Sequence, residues 1–450
     1  MHRTPRFAVS LALAIACVGC GTAAAPSLVP EATSPPVLAT LIPSAPPGLR
    51  TAPPPRTPDV APPTVAEITR LQAAVAADPD DAAAQRDLGL ALIQRIRETA
   101  DPSLYAGAAA ALETARRLAP DDALALVGLG GIQLGKHEFA DALLAGRAAV
   151  ELSPRLASAH AVVVDALVEL GRYDEADAAA GEMLALASDL STLSRASYLA
   201  ELHGRLDVAL SAMRQAAGSP GLAPENLAFA NALLGNLLVY SGDPAAAADA
   251  YARALALVPA HAPSLAGKAR LAVAAGRLDD AIALFQRAAD ILPLPEYVIA
   301  LADTQLAAGH PDAAARNLKV AGAEIELFAA TGVVVDLDLA LFEADHGDPK
   351  EALRYARAAY EAAPTVRAAD ALAWALHHLG RDREAKERSG EALRLGSRDP
   401  LFRYHAGVIA AALGDVRGAR LDLQLALETD PGFSATGADE ARRILAALPD

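Results

Sequence analysis

The sequence predicts an all-α chain of stacked helix pairs, on three observations. Glycine recurs at Gly171, Gly204, Gly242, Gly276, Gly309, Gly347, Gly380 and Gly414, at steps of 33, 38, 34, 33, 38, 33 and 34 residues. Each stands in a similar phrase, such as LGRYDEADA or AGRLDDAI, and a looser copy, LGKHEFADA, has Gly135 in that place. Five residues after each of the eight stands an alanine: Ala176, Ala209, Ala247, Ala281, Ala314, Ala352, Ala385 and Ala419. Twelve residues after them stand Met183, Ala216, Ala254, Ala288, Ala321, Ala359, Ala392 and Ala426. Positions held to a methyl group mark close helix approach. Self-similarity at such a period marks stacked units, none of which buries its apolar face alone.

From the N-terminus, Arg3 and Arg6 precede the apolar run FAVSLALAIACVG. A run of about a dozen residues is short for a membrane-spanning helix of roughly twenty and has the layout of a secretory signal, expected over residues 1–19. Its end, ACVGCGTAAAP, resembles the lipobox of bacterial lipoproteins, in which small residues precede a cysteine that becomes the acylated N-terminus. That resemblance assigns lipidation to Cys20, with Cys17 standing where leucine is usual. Cleavage near Ala25 by ordinary signal peptidase, or retention of the run as an anchor, are the alternatives. The only two cysteines form a CxxC, but inside an apolar leader a redox or zinc reading is weak.

Residues 20–63 hold SPPVLAT, PSAPPGLR and TAPPPRTPDVAPP, which lack periodic apolar surface and prefer extended conformations. They are expected to be a disordered tether. Thr64 opens a capping-box pattern, TVAE, predicting a helix to about Ala77. The solenoid is expected over 64–432, and ADEARRILAAL, within 433–450, predicts a terminal capping helix.

Within each repeat, apolar residues at helical spacing precede the glycine, as Leu233, Leu234, Leu237 and Leu238 do Gly242. A second such stretch follows it, as in Ala281, Ile282, Leu284, Phe285 and Ala288. The glycine closes the first helix, where a left-handed residue is least strained. The acidic residues behind it fall in the first turn of the second helix, facing its dipole and its unpaired N–H groups. The adjacent pair Asp174 and Glu175 is therefore a helix start rather than an acid–base pair. Pro120, Pro154, Pro259, Pro293, Pro364 and Pro431 end units near multiples of the same period. ADPSLYAG (100–107) and GSPGLAP (218–224) interrupt the regularity.

This pattern resembles the tetratricopeptide repeat family, whose 34-residue helix–turn–helix units carry small residues mid-helix and a terminal proline. The resemblance covers roughly residues 80 to 432 and implies a right-handed superhelical solenoid of about ten units. Aligned on the turn glycine, the family's small first-helix position falls on Gly235, Ala269, Ala302, Ala340, Ala373 and Gly407, with Val164 and Ser197 in two others. Its aromatic fourth position is mostly lost. The same alignment implies a concave groove lined by Asn236, Tyr240, Arg270, Asp303, Asp345, Arg367, Asp370, Trp374, His377, His378 and Tyr404. Core packing or a plain solvated face is the other reading of Asp370, Trp374, His377 and His378. The lining lacks the Lys/Arg/Asn set with which some family members clamp a C-terminal carboxylate.

A hydrophobic content of 53% with 21% charged residues suffices for a continuous core. A net charge of −16 argues against nucleic acid, which needs a basic stripe. GGIQLGKH (130–137) nearly spells a phosphate loop, but His137 stands where Ser or Thr would hold magnesium, and no strand precedes it. HEFAD (137–141) is one residue from a zinc-protease motif, without an evident third ligand. No catalytic residue, metal or cofactor is expected. The sequence thus predicts a non-enzymatic scaffold for a protein or peptide partner, exported and membrane-anchored by lipid at a bacterial cell envelope. The resemblance to envelope lipoproteins of this build implies a role beside other machines. The alternative is an enzyme or small-ligand protein with its site inside the solenoid.

Overall fold

The computed structural model describes residues 63–219 and 223–449. The expected signal segment, Cys20 and the proline-rich stretch up to residue 62 lie outside the described residues. Those described form 22 helices and no strand. By contacts they divide into two bodies, one of residues 63–199 and 211–219, the other of 200–210 and 223–449.

In chain order the helices begin with α1 (Pro63–Ala77), α2 (Ala82–Thr99), α3 (Leu104–Leu118), α4 (Ala123–Gly135) and α5 (Phe139–Leu152). There follow α6 (Ala157–Glu169), α7 (Tyr173–Leu186), α8 (Leu190–Leu202), α9 (Leu206–Ala217), α10 (Pro224–Tyr240) and α11 (Pro244–Leu257). Next come α12 (Ala262–Ala274), α13 (Leu278–Ile291), α14 (Pro295–Ala307), α15 (Pro311–Ala330), α16 (Asp336–His346) and α17 (Pro349–Ala362). The last are α18 (Val366–His378), α19 (Asp382–Ala392), α20 (Pro400–Ala412), α21 (Val416–Thr429) and α22 (Gly437–Ala447). Within each body, consecutive helices pack as pairs, and first helices of neighbouring pairs also touch, as α10 does α12 and α18 does α20.

The turn glycines explain the period. Seven of the eight are left-handed, with φ between 67° and 81°. At each, the next residue's N–H reaches back to the carbonyl five positions earlier, as Asp243 to Leu238 and Arg277 to Ala272, satisfying an orphan carbonyl at the helix end. Gly347 is the exception: its φ is −126°, and Asp348 N–H donates instead to the Glu343 carboxylate at 2.7 Å. At the looser copy, His137 takes the positive φ in place of Gly135.

All eight alanines five residues after the glycines are fully buried. At the later position seven of eight are buried, and only Ala359 is half-exposed. Small first-helix residues make seats for large second-helix ones. Tyr251 of α11 lies against Gly235 of α10 and Gly267 of α12, where a Cβ on either glycine would overlap its ring. In the other body Leu112 of α3 fits against Gly128, whose Cβ would stand 2.8 Å from it. The GGIQLGKH stretch runs along α4 and its end, where Lys136 pairs with Glu138 at 2.7 Å. No described helix is long and apolar enough to cross a membrane.

Candidate functional site

The acidic residues behind the glycines act as expected of helix starts. Asp174 and Glu175 occupy the first turn of α7, and Glu175 is clasped by Arg172, whose hydrogen bonds hold its carboxyl below the usual range. Asp243 and Asp415 cap α11 and α21, accepting from Ala246 and Gly418 N–H groups.

The residues implied to line the groove all belong to the body of 200–210 and 223–449. They sit on α10, α12, α14, α16, α18 and α20, the first helices of successive pairs. Much of their bonding runs from one first helix to the next. Arg270 donates to Asn236 Oδ1 at 2.6 Å, and Tyr251 donates to the same oxygen at 2.7 Å. Trp374 Nε1 donates to Asp345 at 2.7 Å, His405 Nδ1 meets Asp370 at 2.8 Å, and Tyr404 donates to Glu440 at 2.8 Å. Asp303 and His346 meet at 3.6 Å, both buried. The result is a ladder whose rungs recur at about one repeat.

This ladder divides the predicted residues. Asp303, Asp370, Trp374 and Tyr404 are at most 2% exposed. The Trp374 ring is stacked on His405 with centroids 4.0 Å apart, tilted against Tyr404 and met edge-on by His378. It is a core residue, not an open stacking platform. Asn236, Tyr240, Arg270, Arg367, His377 and His378 remain half-exposed. His377 bonds Asp382 at 2.6 Å, and burial nevertheless pulls its imidazole below the ordinary value.

Charge is arranged around Arg270. Burial opposes its charge, but its surroundings, the Asp430 carboxylate among them, more than offset that and the guanidinium stays protonated. Burial pushes the Tyr240 phenol well above its usual range, and the Asp399 and Glu201 carboxyls add to it. The turn after α21 closes over this place: a Cβ on Gly432 would stand 2.5 Å from the Arg270 carbonyl and 2.9 Å from Ala274.

Sequence reasoning missed His405, Glu440, Tyr251 and Asp430, each the partner of a residue it named. In the other body it missed Arg195, which grips Asp165 with two bonds of 2.7 and 2.8 Å. The spacing of 30 residues was the available signal. Among the described residues, no three His, Cys, Asp or Glu side chains converge as a metal site requires.

Residues 103–157 and 233–294 match the family model of the tetratricopeptide repeat. No curated protein matches the chain. Similar solved structures include a tetratricopeptide repeat protein from Parabacteroides merdae ATCC 43184, 16% identical over 58% of this chain and 98% of that one, with TM-score 0.33. YrrB, described as a TPR protein with an unusual peptide-binding site, is 20% identical over 41% of this chain and 94% of its own, with TM-score 0.30. PilW, described as a widely conserved type IV pilus biogenesis factor, is 18% identical over 44% and 90%, with TM-score 0.38.

Proposed function

We propose that this tetratricopeptide-repeat protein is a non-enzymatic scaffold, held at a bacterial cell envelope by an acylated Cys20, which binds an extended segment of a protein partner. The observation that carries the reading is the ladder along the first helices: it fixes their faces rigidly while leaving Asn236, Tyr240, Arg270, Arg367, His377 and His378 half-exposed along one body. Mixed amide, aromatic and charged groups at repeat spacing suit an extended peptide, whose side chains and backbone alternate along such a surface. The net charge of −16 favours a protein partner with basic segments over nucleic acid.

Two measurements test this. Affinity capture from native membranes with the full chain should recover a saturable partner, and Arg367→Ala together with His377→Ala should weaken its retention at least tenfold. A partner retained equally by the double variant places binding elsewhere. Metabolic labelling with an alkyne fatty acid should mark the wild type and not Cys20→Ser; equal labelling, or none, removes the anchor. Broad hydrolase and transferase screens of the same preparation address the enzymatic alternative, which any turnover abolished by Arg367→Ala or His377→Ala in a folded variant would establish.

A further inference from the structure

Two contacts between residues distant in sequence close the body of 200–210 and 223–449 on itself. One is the seat of Gly432 on α12. The other joins Gly204, in the turn after α8, to Gly396, in the turn before α20. Both glycines are left-handed, at φ 67° and 77°, and a Cβ on Gly204 would overlap the Gly396 carbonyl oxygen. Backbone meets backbone there, with no side chain between.

A carboxyl flanks that contact on each side. Glu201 stands one helical turn before Gly204, and Asp399 stands three residues after Gly396, where it caps α20 by accepting from Leu401 N–H. The Asp399 carboxylate acts on Glu201 as a like charge. Tyr240 of α10 faces both, and is itself under the influence of Arg270 and Asp430. From α18, Asp370 adds negative charge beside Asp399 and Arg367 offsets part of it. His203 and Arg205 adjoin Gly204 on its own segment.

We propose that the contact of residues 201–204 with 396–399 is a proton-controlled latch, shut while at least one of its two facing carboxyls is protonated and forced open when both ionise. Burial pushes Glu201 up to about 8, with Asp399 adding to the shift. Burial likewise pushes Asp399 up to about 6, the Leu401 N–H opposing and Asp370 adding. Opening returns both acids to water and to ordinary values. The closed form therefore binds more protons, and its advantage is complete at low pH and is lost as pH rises toward about 8. The latch does not depend on any partner, and its test contains none.

The experiment is hydrogen exchange on the full chain at pH 5.5, 7.0 and 8.5, with rates corrected for intrinsic chemistry. Peptides over 197–206 and 394–402 should lose protection by as much as about tenfold per pH unit between pH 6 and 8 and level off above, since one proton is released on opening. Peptides from α13 should not follow. Glu201→Gln should flatten most of that slope, and Glu201→Gln with Asp399→Asn should abolish it while keeping the closed-state protection. Gly204→Ala should unprotect both peptides at every pH. Flat wild-type protection, or an unchanged slope in Glu201→Gln, overturns the latch whether or not Gly204→Ala folds.

Discussion

At the scale of single residues, buried polar pairs and glycine seats decide which substitutions the apolar core tolerates. Trp374 was legible from sequence as the one tryptophan on a helix face, with core packing among its readings, but the choice between core and groove was not, because burial depends on His405, Tyr404 and Asp345 arriving from two other repeats. Trp374→Phe keeps most of the packing and strips the donor from Asp345, whose side chain is 2% exposed, so it should cost about 1–3 kcal/mol. Asp345→Asn retains an acceptor for the indole and should cost less. Urea midpoints decide, and equal losses would refute the hydrogen-bond account. Glycine offers the reverse contrast. Gly235→Ala would drive a methyl group into the Tyr251 ring and should destabilise by about 1–3 kcal/mol. Gly390, inside α19, has nothing within 4 Å of its would-be Cβ, so Gly390→Ala should stabilise by roughly 0.5–1 kcal/mol through reduced chain entropy.

At the scale of the element, the helix pairs were legible because their signals are local: a left-handed glycine, an acidic first turn and small residues at fixed offsets. The helix expected from Thr64 to Ala77 is α1, and that expected from Ala438 to Leu448 is α22, within a residue or two at each end. Departures arise where a side chain substitutes for a backbone device, as the Glu343 carboxylate does in the turn at Gly347. The first-turn acids also divide in a way the sequence hides. Asp243 accepts from Ala246 N–H at 2.9 Å and caps α11, whereas α13 begins at Arg277 with no side-chain cap and Asp280 only pairs with that exposed arginine. Asp243→Ala should therefore lower stability by about 0.5–2 kcal/mol. Asp280→Ala should change it by less than about 0.5 kcal/mol, as exposed pairs contribute little. Thermal unfolding of the two variants side by side checks the ranking, and a larger loss in Asp280→Ala would contradict it.

At the scale of the molecule, the ladder and the closing contacts were beyond a repeat-by-repeat reading. The rungs differ in chemistry, amide with guanidinium, indole with carboxylate and imidazole with carboxylate, and although aspartate recurs in three of them its partner changes, so no fixed pair of letters betrays the ladder. The closing contacts join residues 204 and 396, or 270 and 432, far outside one period. They bring ionisable groups into shared burial, which gives stability an unusual pH profile. Burial pushes His261 and His346 down from 6.5 to about 4, so the unfolded chain binds more protons than the folded one in that window. Their contribution is complete above pH 6.5 and is lost as pH falls toward 4. Glu201, pushed from 4.5 to about 8, has the opposite sign: its folded form holds the proton longer, and stability falls as pH rises through that interval. Glu324, raised to about 7 by burial, acts in the same sense with less weight, because its shift is smaller and ends at a lower pH. Below pH 6.5 the histidines oppose Glu201, Glu324 and Asp399, the last raised to about 6, so the profile there is shallower. Between pH 6.5 and 8 the histidines have nothing further to contribute and Glu201 still loses, so stability should decline by up to about 1.4 kcal/mol per pH unit. Urea unfolding of the full chain at pH 5.5, 6.5 and 8.0 measures this decline, and Glu201→Gln should remove most of it. His346→Gln should leave the alkaline decline intact and soften the acid one. A wild-type midpoint that climbs steadily to pH 8 would mean that Glu201 is solvated in the folded chain and that the closing contact is open.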